Sequence, residues 1–296
     1  MKKKIFVLLA LLLSASYSVF GQDGTSVAMP FLAIDRSAAT GAMGGARITD
    51  GMFNPAAVPF TGSDIQLSYQ LWSPGTAKAS HINVLSGVKI GKSLGVSVHG
   101  AYQAGEPYSL FDASGKAGDS FRPSDLLLGI GAGYAFTSFL SAGINLNFAR
   151  QTLSPSSAYS AFAADVFLMY KYKGLKAAAG VANLGTPVKS GDYSFPIPSS
   201  AKLGASYTLP FGLGFAADFD YYFAGGVGVA AGAQYAWNDM IFARAGYHFE
   251  SGKSPLPSYA SVGLGAKFYG VHLDVSYFLA SASLANTLTI GLGYSF

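Results

Sequence analysis

The alternation of bulky apolar residues with small or polar ones constrains this chain more than any other feature. In residues 287–296, TLTIGLGYSF, Leu288, Ile290, Leu292, Tyr294 and Phe296 alternate with Thr289, Gly291, Gly293 and Ser295. Successive side chains of a strand point to opposite faces, so one face is bulky and apolar while the other is small. The same period recurs in fourteen segments, with cores at Ile65–Leu71, His81–Ile90, Leu94–Tyr102, Leu126–Phe136, Leu140–Phe148, Phe162–Tyr172 and Leu175–Val181. It continues through Ala201–Leu209, Leu213–Phe223, Val227–Trp237, Ile241–Phe249, Val262–Phe268, Val271–Leu279 and Leu288–Phe296. A barrel in lipid needs this alternation with its apolar face outward, and single-chain bacterial barrels have an even strand number.

The connections alternate as well. Long polar stretches such as SPGTAKAS, Gln103 to Ser124, QTLSPSSAYS and Asn183 to Ser200 take turns with short ones such as GKS, Thr137-Ser138, Lys173-Gly174 and Asn238-Asp239. Only Gly225-Gly226 puts a short link where a long one is due. Short turns on the periplasmic side and long loops outside are the habit of outer-membrane barrels. A soluble sandwich has no reason to keep that parity.

Composition supports a lipid-facing surface. Charged residues make up 11% of the chain, against about 25% in ordinary globular domains, while Phe numbers 22 and Tyr 18. Lys2 to Lys4 followed by the apolar run Ile5 to Leu13 reads as a secretory signal, with cleavage expected between Gly21 and Gln22. Its removal takes three lysines and no acid from a net charge of +4, leaving +1. The basic balance thus belongs mainly to the signal, which removes the case for a nucleic-acid partner. The expected organisation is a signal peptide at 1–21, an N-terminal hatch or plug at 22–63, and a barrel at 64–296. The fold class is all-β: a transmembrane antiparallel up-and-down barrel of about 14 strands with the hatch in its lumen. Outer-membrane lipid is the expected surround.

No catalytic or metal signature stands out. His81, His99, His248 and His272 form no HExxH pair, cysteine is absent, and there is no GxSxG elbow. We therefore expect no enzyme, no metal and no cofactor. Period-two glycines such as Gly129/Gly131/Gly133 and Gly263/Gly265 lie within strand patterns and open no helix; on an inward face they keep a narrow barrel open or let a plug backbone come close. The inward parity also gathers charges of both signs, among them Lys202, Asp218, Asp220, Arg244, His248, Lys267 and Asp274. These are expected to form a luminal network that steadies the hatch. Tyr69, Trp72, Tyr134, Tyr172, Tyr207, Tyr235, Trp237, Tyr247 and Tyr294, near strand ends, read as interfacial girdles.

The stretch FLAIDRSAATGAMGGA (Phe31 to Ala46), followed by NPAA (Asn54 to Ala57), resembles the opening of the PorV/PorQ family. VANLG, KLGASY and RAGYHF further along are similar to that family's barrel strings. The resemblance implies a FadL-like fourteen-stranded barrel with a hatch marked by Met43, Gly44, Gly45, Asn54, Pro55 and Ala56. It also implies work beside a type IX-like secretion or barrel-assembly machine, as a subunit or carrier. The partner, a larger outer-membrane protein, would meet outer-loop aromatics such as Tyr108, Phe111, Phe121, Tyr193 and Phe195. The alternative is a FadL-like channel passing a hydrophobic small molecule or lipid. The gap between MGGA and NPA is shorter here than the family's, and the loops are modest.

Overall fold

The computed structural model describes residues 27–72, 78–111, 115–251, 254–280 and 286–296. The expected signal peptide, 1–21, lies outside these residues. Eighteen strands are described: β1 (Asp64–Trp72), β2 (Ala79–Ile90), β3 (Leu94–Ala104), β4 (Tyr108–Phe111), β5 (Ala117–Phe121) and β6 (Ser124–Ala135). Then come β7 (Leu140–Ser154), β8 (Ser157–Tyr172), β9 (Leu175–Gly185), β10 (Val188–Ser190), β11 (Tyr193–Phe195) and β12 (Ser200–Thr208). The last six are β13 (Leu213–Tyr222), β14 (Val227–Trp237), β15 (Ile241–Glu250), β16 (Tyr259–Phe268), β17 (Val271–Ala280) and β18 (Thr287–Ser295). Fourteen of them close into one antiparallel barrel in which β1 pairs with both β2 and β18.

Each of the fourteen predicted segments is a barrel strand, and Val227–Trp237 matches to the residue. Outward positions such as Leu67, Val98, Ile130, Leu203, Leu264 and Leu292 are exposed apolar side chains, while their strand neighbours are buried or half-buried. A water-soluble protein rarely shows so continuous an apolar surface; hydrocarbon is its matching solvent. Among the described residues no helix is long and apolar enough to cross a membrane. The crossing elements are strands.

The turns explain themselves locally. Asn238-Asp239 and Tyr269-Gly270 hold positive φ at both residues, the conformation of two-residue hairpins whose twist suits the flanking strands. Gly225 and Gly226, with φ of 100° and 106°, make a tight link at the long-loop end.

Three sequence expectations need correction. QTLSPSSAYS is not a free loop: β7 and β8 run on through it to Ser154 and Ser157, with one register shift after Thr152. Two connections contain small hairpins, β4/β5 and β10/β11, which stand apart from the barrel sheet. Trp72 does not join an outer girdle. It shares the inward parity of Gln66, Ser68 and Gln70, and packs against the His81 ring at 5.8 Å.

Residues 27–63 pack against the inward side chains. They form a 3-10 turn at Pro30–Ala33, one helical turn at Ala38–Gly41 and a second 3-10 turn at Val58–Phe60. Ile48, Asn54, Ala56 and Val58 have no exposed surface.

Candidate functional site

The lumen is built around this N-terminal segment, and the two sequence motifs shape it. The helical turn Ala38–Gly41 ends where Gly44 and Gly45 take φ of 72° and 79°. Gly45 N–H donates back to the Thr40 carbonyl at 2.9 Å, a left-handed helix end that favours glycine. Asn54 donates from Nδ2 to the Ile48 carbonyl (2.7 Å), and its Oδ1 accepts from Ala56 N–H (2.9 Å) across Pro55. That is an Asx turn, in which a side chain stands in for backbone. Met43 lies between facing glycines on β14 and β15, Gly232 and Gly246, which are registered partners. Pro55 and Ala56 lie likewise over Gly133 and Gly143, where a Cβ would strike their backbone.

The charges separate into three groups. Asp218 Oδ2 accepts from the N–H groups of Arg47 (2.6 Å) and Ile48 (2.8 Å), so it holds the segment's backbone directly. Beside it Lys202 is paired with Asp220, its registered partner on β13, and both are buried. His248 Nδ1 donates to the Gly44 carbonyl at 2.9 Å, while Nε2 lies 2.7 Å from Glu250, which also accepts from Tyr222. The third group, at the short-turn end, does not hold the segment. There Arg244 pairs with Asp274, His272 bridges Asp274 and Asp64 at 3.1 Å, and Lys267 donates to Ser295, which donates to Asp64. One luminal network was expected; the register of the strands divides it.

Several contributors were not singled out by sequence reading. Arg47 donates to the carbonyls of Ile34 and Ala33, at 3.0 Å each, and lies over the Phe53 ring at 4.4 Å. Asp165, by contrast, belongs to the charges read as inward by parity; it sits opposite a β-bulge in β9, accepting from Asn183 N–H (2.7 Å), Asn145 (3.1 Å) and Asn147 (3.0 Å). Ser141 donates to the Ala56 carbonyl at 2.5 Å. Asn145 and Asn147 at inward parity on one strand were the available signal. Asn183, at φ 55°, was visible only as part of VANLG.

Two spaces flank the segment. Toward the long-loop end Met29, Phe31, Leu32 and Ile34 fill an apolar compartment with Leu127, Ala149, Ala161, Ala163, Val188 and Ile197, all buried. Toward the short-turn end lies an open vestibule of about 450 Å3, bordered by Asp64, Lys176, Gln234, Arg244, Lys267 and His272. Asp50 borders the vestibule; the protein packed around it raises its carboxyl above the ordinary value, against the pull of Met52 N–H and Lys176. Of the loop aromatics, Phe111 and Tyr193 are 67% and 74% exposed. Tyr108 packs on Phe121 with ring centres 5.7 Å apart and donates to the Leu153 carbonyl, while Phe195 is half-buried on β11. The five residues therefore sit on two separate hairpins. Among the described residues no group of His, Asp and Glu is arranged to hold a metal ion.

This barrel has solved counterparts. The toluene transporter TodX of Pseudomonas putida superposes with a TM-score of 0.61 at 14% identity, over 87% of this chain and 96% of its own. The monoaromatic hydrocarbon channel CymD gives 0.62 at 15% identity, over 88% and 97%. A FadL homologue from Pseudomonas aeruginosa gives 0.52 at 11% identity, over 92% and 99%. The fold is that of the FadL-like outer-membrane barrels. At these identities the likeness is one of fold. No protein family and no curated protein matches the sequence.

Proposed function

We propose that this chain is a non-enzymatic outer-membrane channel for a hydrophobic small molecule, closed in the described state by residues 27–63 acting as a hatch. The carrying observation is the apolar compartment at the long-loop end, where four side chains of the chain's own segment occupy the place a guest would take. Ligand sites are mostly apolar concavities with few polar groups, and this one becomes such a site once Phe31 and its neighbours leave. The FadL-like fold supports the reading, since neighbours bearing it are named as transporters and channels. The luminal charges fit a holding role for Asp218 and His248, and a vestibule role for Arg244, Lys267 and Asp274.

A tether tests it. Thr49 and Ser206 hydroxyls lie 2.9 Å apart, joining the segment to β12, and the chain has no cysteine of its own. The Thr49→Cys/Ser206→Cys pair should take up radiolabelled toluene slowly when oxidised and at the native rate after reduction. Uptake by cells making the untethered protein that equals uptake by cells lacking it would end the proposal.

A second reading, a subunit or carrier for a larger outer-membrane secretion machine as the PorV/PorQ resemblance implies, is favoured by one observation. The outer hairpins hold Phe111 and Tyr193 out toward solvent. Recovery of the tagged barrel without a stoichiometric protein partner, from gentle detergent, removes that reading.

A further inference from the structure

Strand register places Gln70 of β1 opposite His81 of β2, His81 opposite Gln103 of β3, and Gln103 opposite Asp125 of β6. All four face inward, in a row that continues across adjacent strands. Gln70, His81 and Asn83 are 2%, 5% and 1% exposed. Yet Gln70 Oε1, His81 Nε2, Asn83 Oδ1 and Gln103 Oε1 find no hydrogen-bond partner among the described residues. Burying such groups unpartnered is costly, and folding stability alone gives no reason to collect four of them.

Three of these residues, His81, Asn83 and Gln103, line a cavity of about 10 Å3, room for one water-sized group such as a hydroxyl, together with Asp125, Arg36, Phe31 and Ile34. The orientation of the Asn83 amide is settled by its neighbours. The Arg36 carbonyl can only accept, so the Ser68 hydroxyl donates to it at 2.6 Å. Ser68 Oγ then accepts from Asn83 Nδ2 at 3.1 Å, which leaves Oδ1 in the pocket. The lining is therefore rich in acceptors: two amide oxygens and the Asp125 carboxylate. Arg36 supplies its guanidinium, which reaches toward the Phe31 and Leu32 carbonyls at 3.5 Å. A carboxylate guest would meet Asp125 and the amide oxygens. A pure hydrocarbon would leave those oxygens bare.

We infer that this pocket receives the hydroxyl of an uncharged amphipathic guest, an alcohol or phenol, whose apolar body takes the compartment now filled by Phe31. The inference rests on the channel reading above and names the class of molecule the channel prefers. The hydroxyl donates to Asn83 Oδ1 or Gln103 Oε1, and its own oxygen accepts from His81 or Arg36. Neither a hydrocarbon nor a carboxylate satisfies both kinds of partner.

Trp72 reports on the site, since its ring lies 5.8 Å from that of His81. The full chain carrying Trp237→Phe, in lipid nanodiscs, leaves Trp72 as the only tryptophan. Its emission is followed while 4-ethylphenol, ethylbenzene or 4-ethylbenzoate is added. We expect 4-ethylphenol to bind about tenfold more tightly than ethylbenzene, the value of one or two neutral hydrogen bonds, with 4-ethylbenzoate weakest. Asn83→Leu should bring the phenol and the hydrocarbon to within about twofold of each other. Gln103→Met repeats the test without disturbing Ser68, and heat-modifiable electrophoretic mobility confirms that each barrel is closed. Equal binding of ethylphenol and ethylbenzene by the native pocket overturns the inference and leaves the channel standing. Binding of none of the three overturns both.

Discussion

Replacing Gly232 by alanine puts a methyl group 2.5 Å from both Cβ and carbonyl oxygen of Met43, and 2.7 Å from its Cα. Ordinary carbon contacts are about 3.5–4.0 Å, so something must move by about 1 Å. The wall is the poorer candidate, because β14 is paired along both edges, with β13 and β15. The segment moves instead, and Gly44 moves with it. Gly44 N–H donates to Ser261 at 3.0 Å and its carbonyl accepts from His248 at 2.9 Å; both bonds stretch beyond useful length. Two neutral bonds at about 0.5–1.5 kcal/mol each, plus overpacking at about 1–3 kcal/mol, weaken seating of the segment by about 2–6 kcal/mol. At 1.4 kcal/mol per tenfold the unseated population rises about 30-fold at least. Hydrogen exchange over residues 40–50 measures it, with heat-modifiable mobility showing an unchanged barrel. Gly62→Ala is the control, since nothing lies within 4 Å of its added methyl. Unaltered exchange in Gly232→Ala would refute the idea that wall glycines are there to admit the segment.

Asp218→Ala leaves the buried N–H groups of Arg47 and Ile48 without an acceptor; we expect about 2–6 kcal/mol of lost seating, seen as protease cleavage near Arg47 that the native protein resists. Asp50 is expected to make seating pH-dependent. Its carboxyl is raised from 3.8 in the seated segment, so the seated form holds the proton more strongly, and seating weakens as pH climbs from 3.8 through the raised value. Asp50→Asn, which keeps an oxygen for Met52 N–H, should seat more firmly at pH 7 and show no such slope in exchange corrected for intrinsic rates. Lys202→Met strands Asp220 in a buried setting and should cost about 3–5 kcal/mol, read as a lower urea midpoint for barrel unfolding. Amino-terminal sequencing of the protein from outer membranes should begin at Gln22; a start at Met1 would remove the signal peptide.

The barrel was legible because alternation is a local property: Leu213 to Tyr222 displays its two faces without reference to any other strand. Turn residues such as Asn238-Asp239 and Tyr269-Gly270 added independent punctuation. The loops were less readable, since hairpins such as β4/β5 stand outside the barrel and answer to no lipid face. Trp72 was misplaced because an aromatic at a strand end suits either a girdle or a luminal wall, and only its parity with Gln70 separates them. The inward charges were visible, but Lys202 reaches Asp220 while Lys267 reaches Ser295 because of register, which no single strand carries. The row from Gln70 to Asp125 was invisible for the same reason: its members lie far apart in sequence and meet only across paired strands. The wall glycines were read as places of close approach, and Met43 and Pro55 now stand as the backbones that approach.

The pairing of β1 with β18 makes the seam of the cylinder the meeting of its first and last barrel strands, through eight registered pairs from Asp64/Ser295 to Leu71/Leu288. Until β18 is in place the sheet has two raw edges, each open to pairing with another chain. Pairing β1 with β18 removes both edges at once. The segment that fills the lumen is joined directly to one lip of that seam: the carbonyl of Ser63, where it meets β1, accepts from Phe296 N–H at 2.9 Å. The lip that completes the cylinder is thus also the root of the segment inside it, so a slip in the register of that seam would pull on residues 27–63 as well as on the wall.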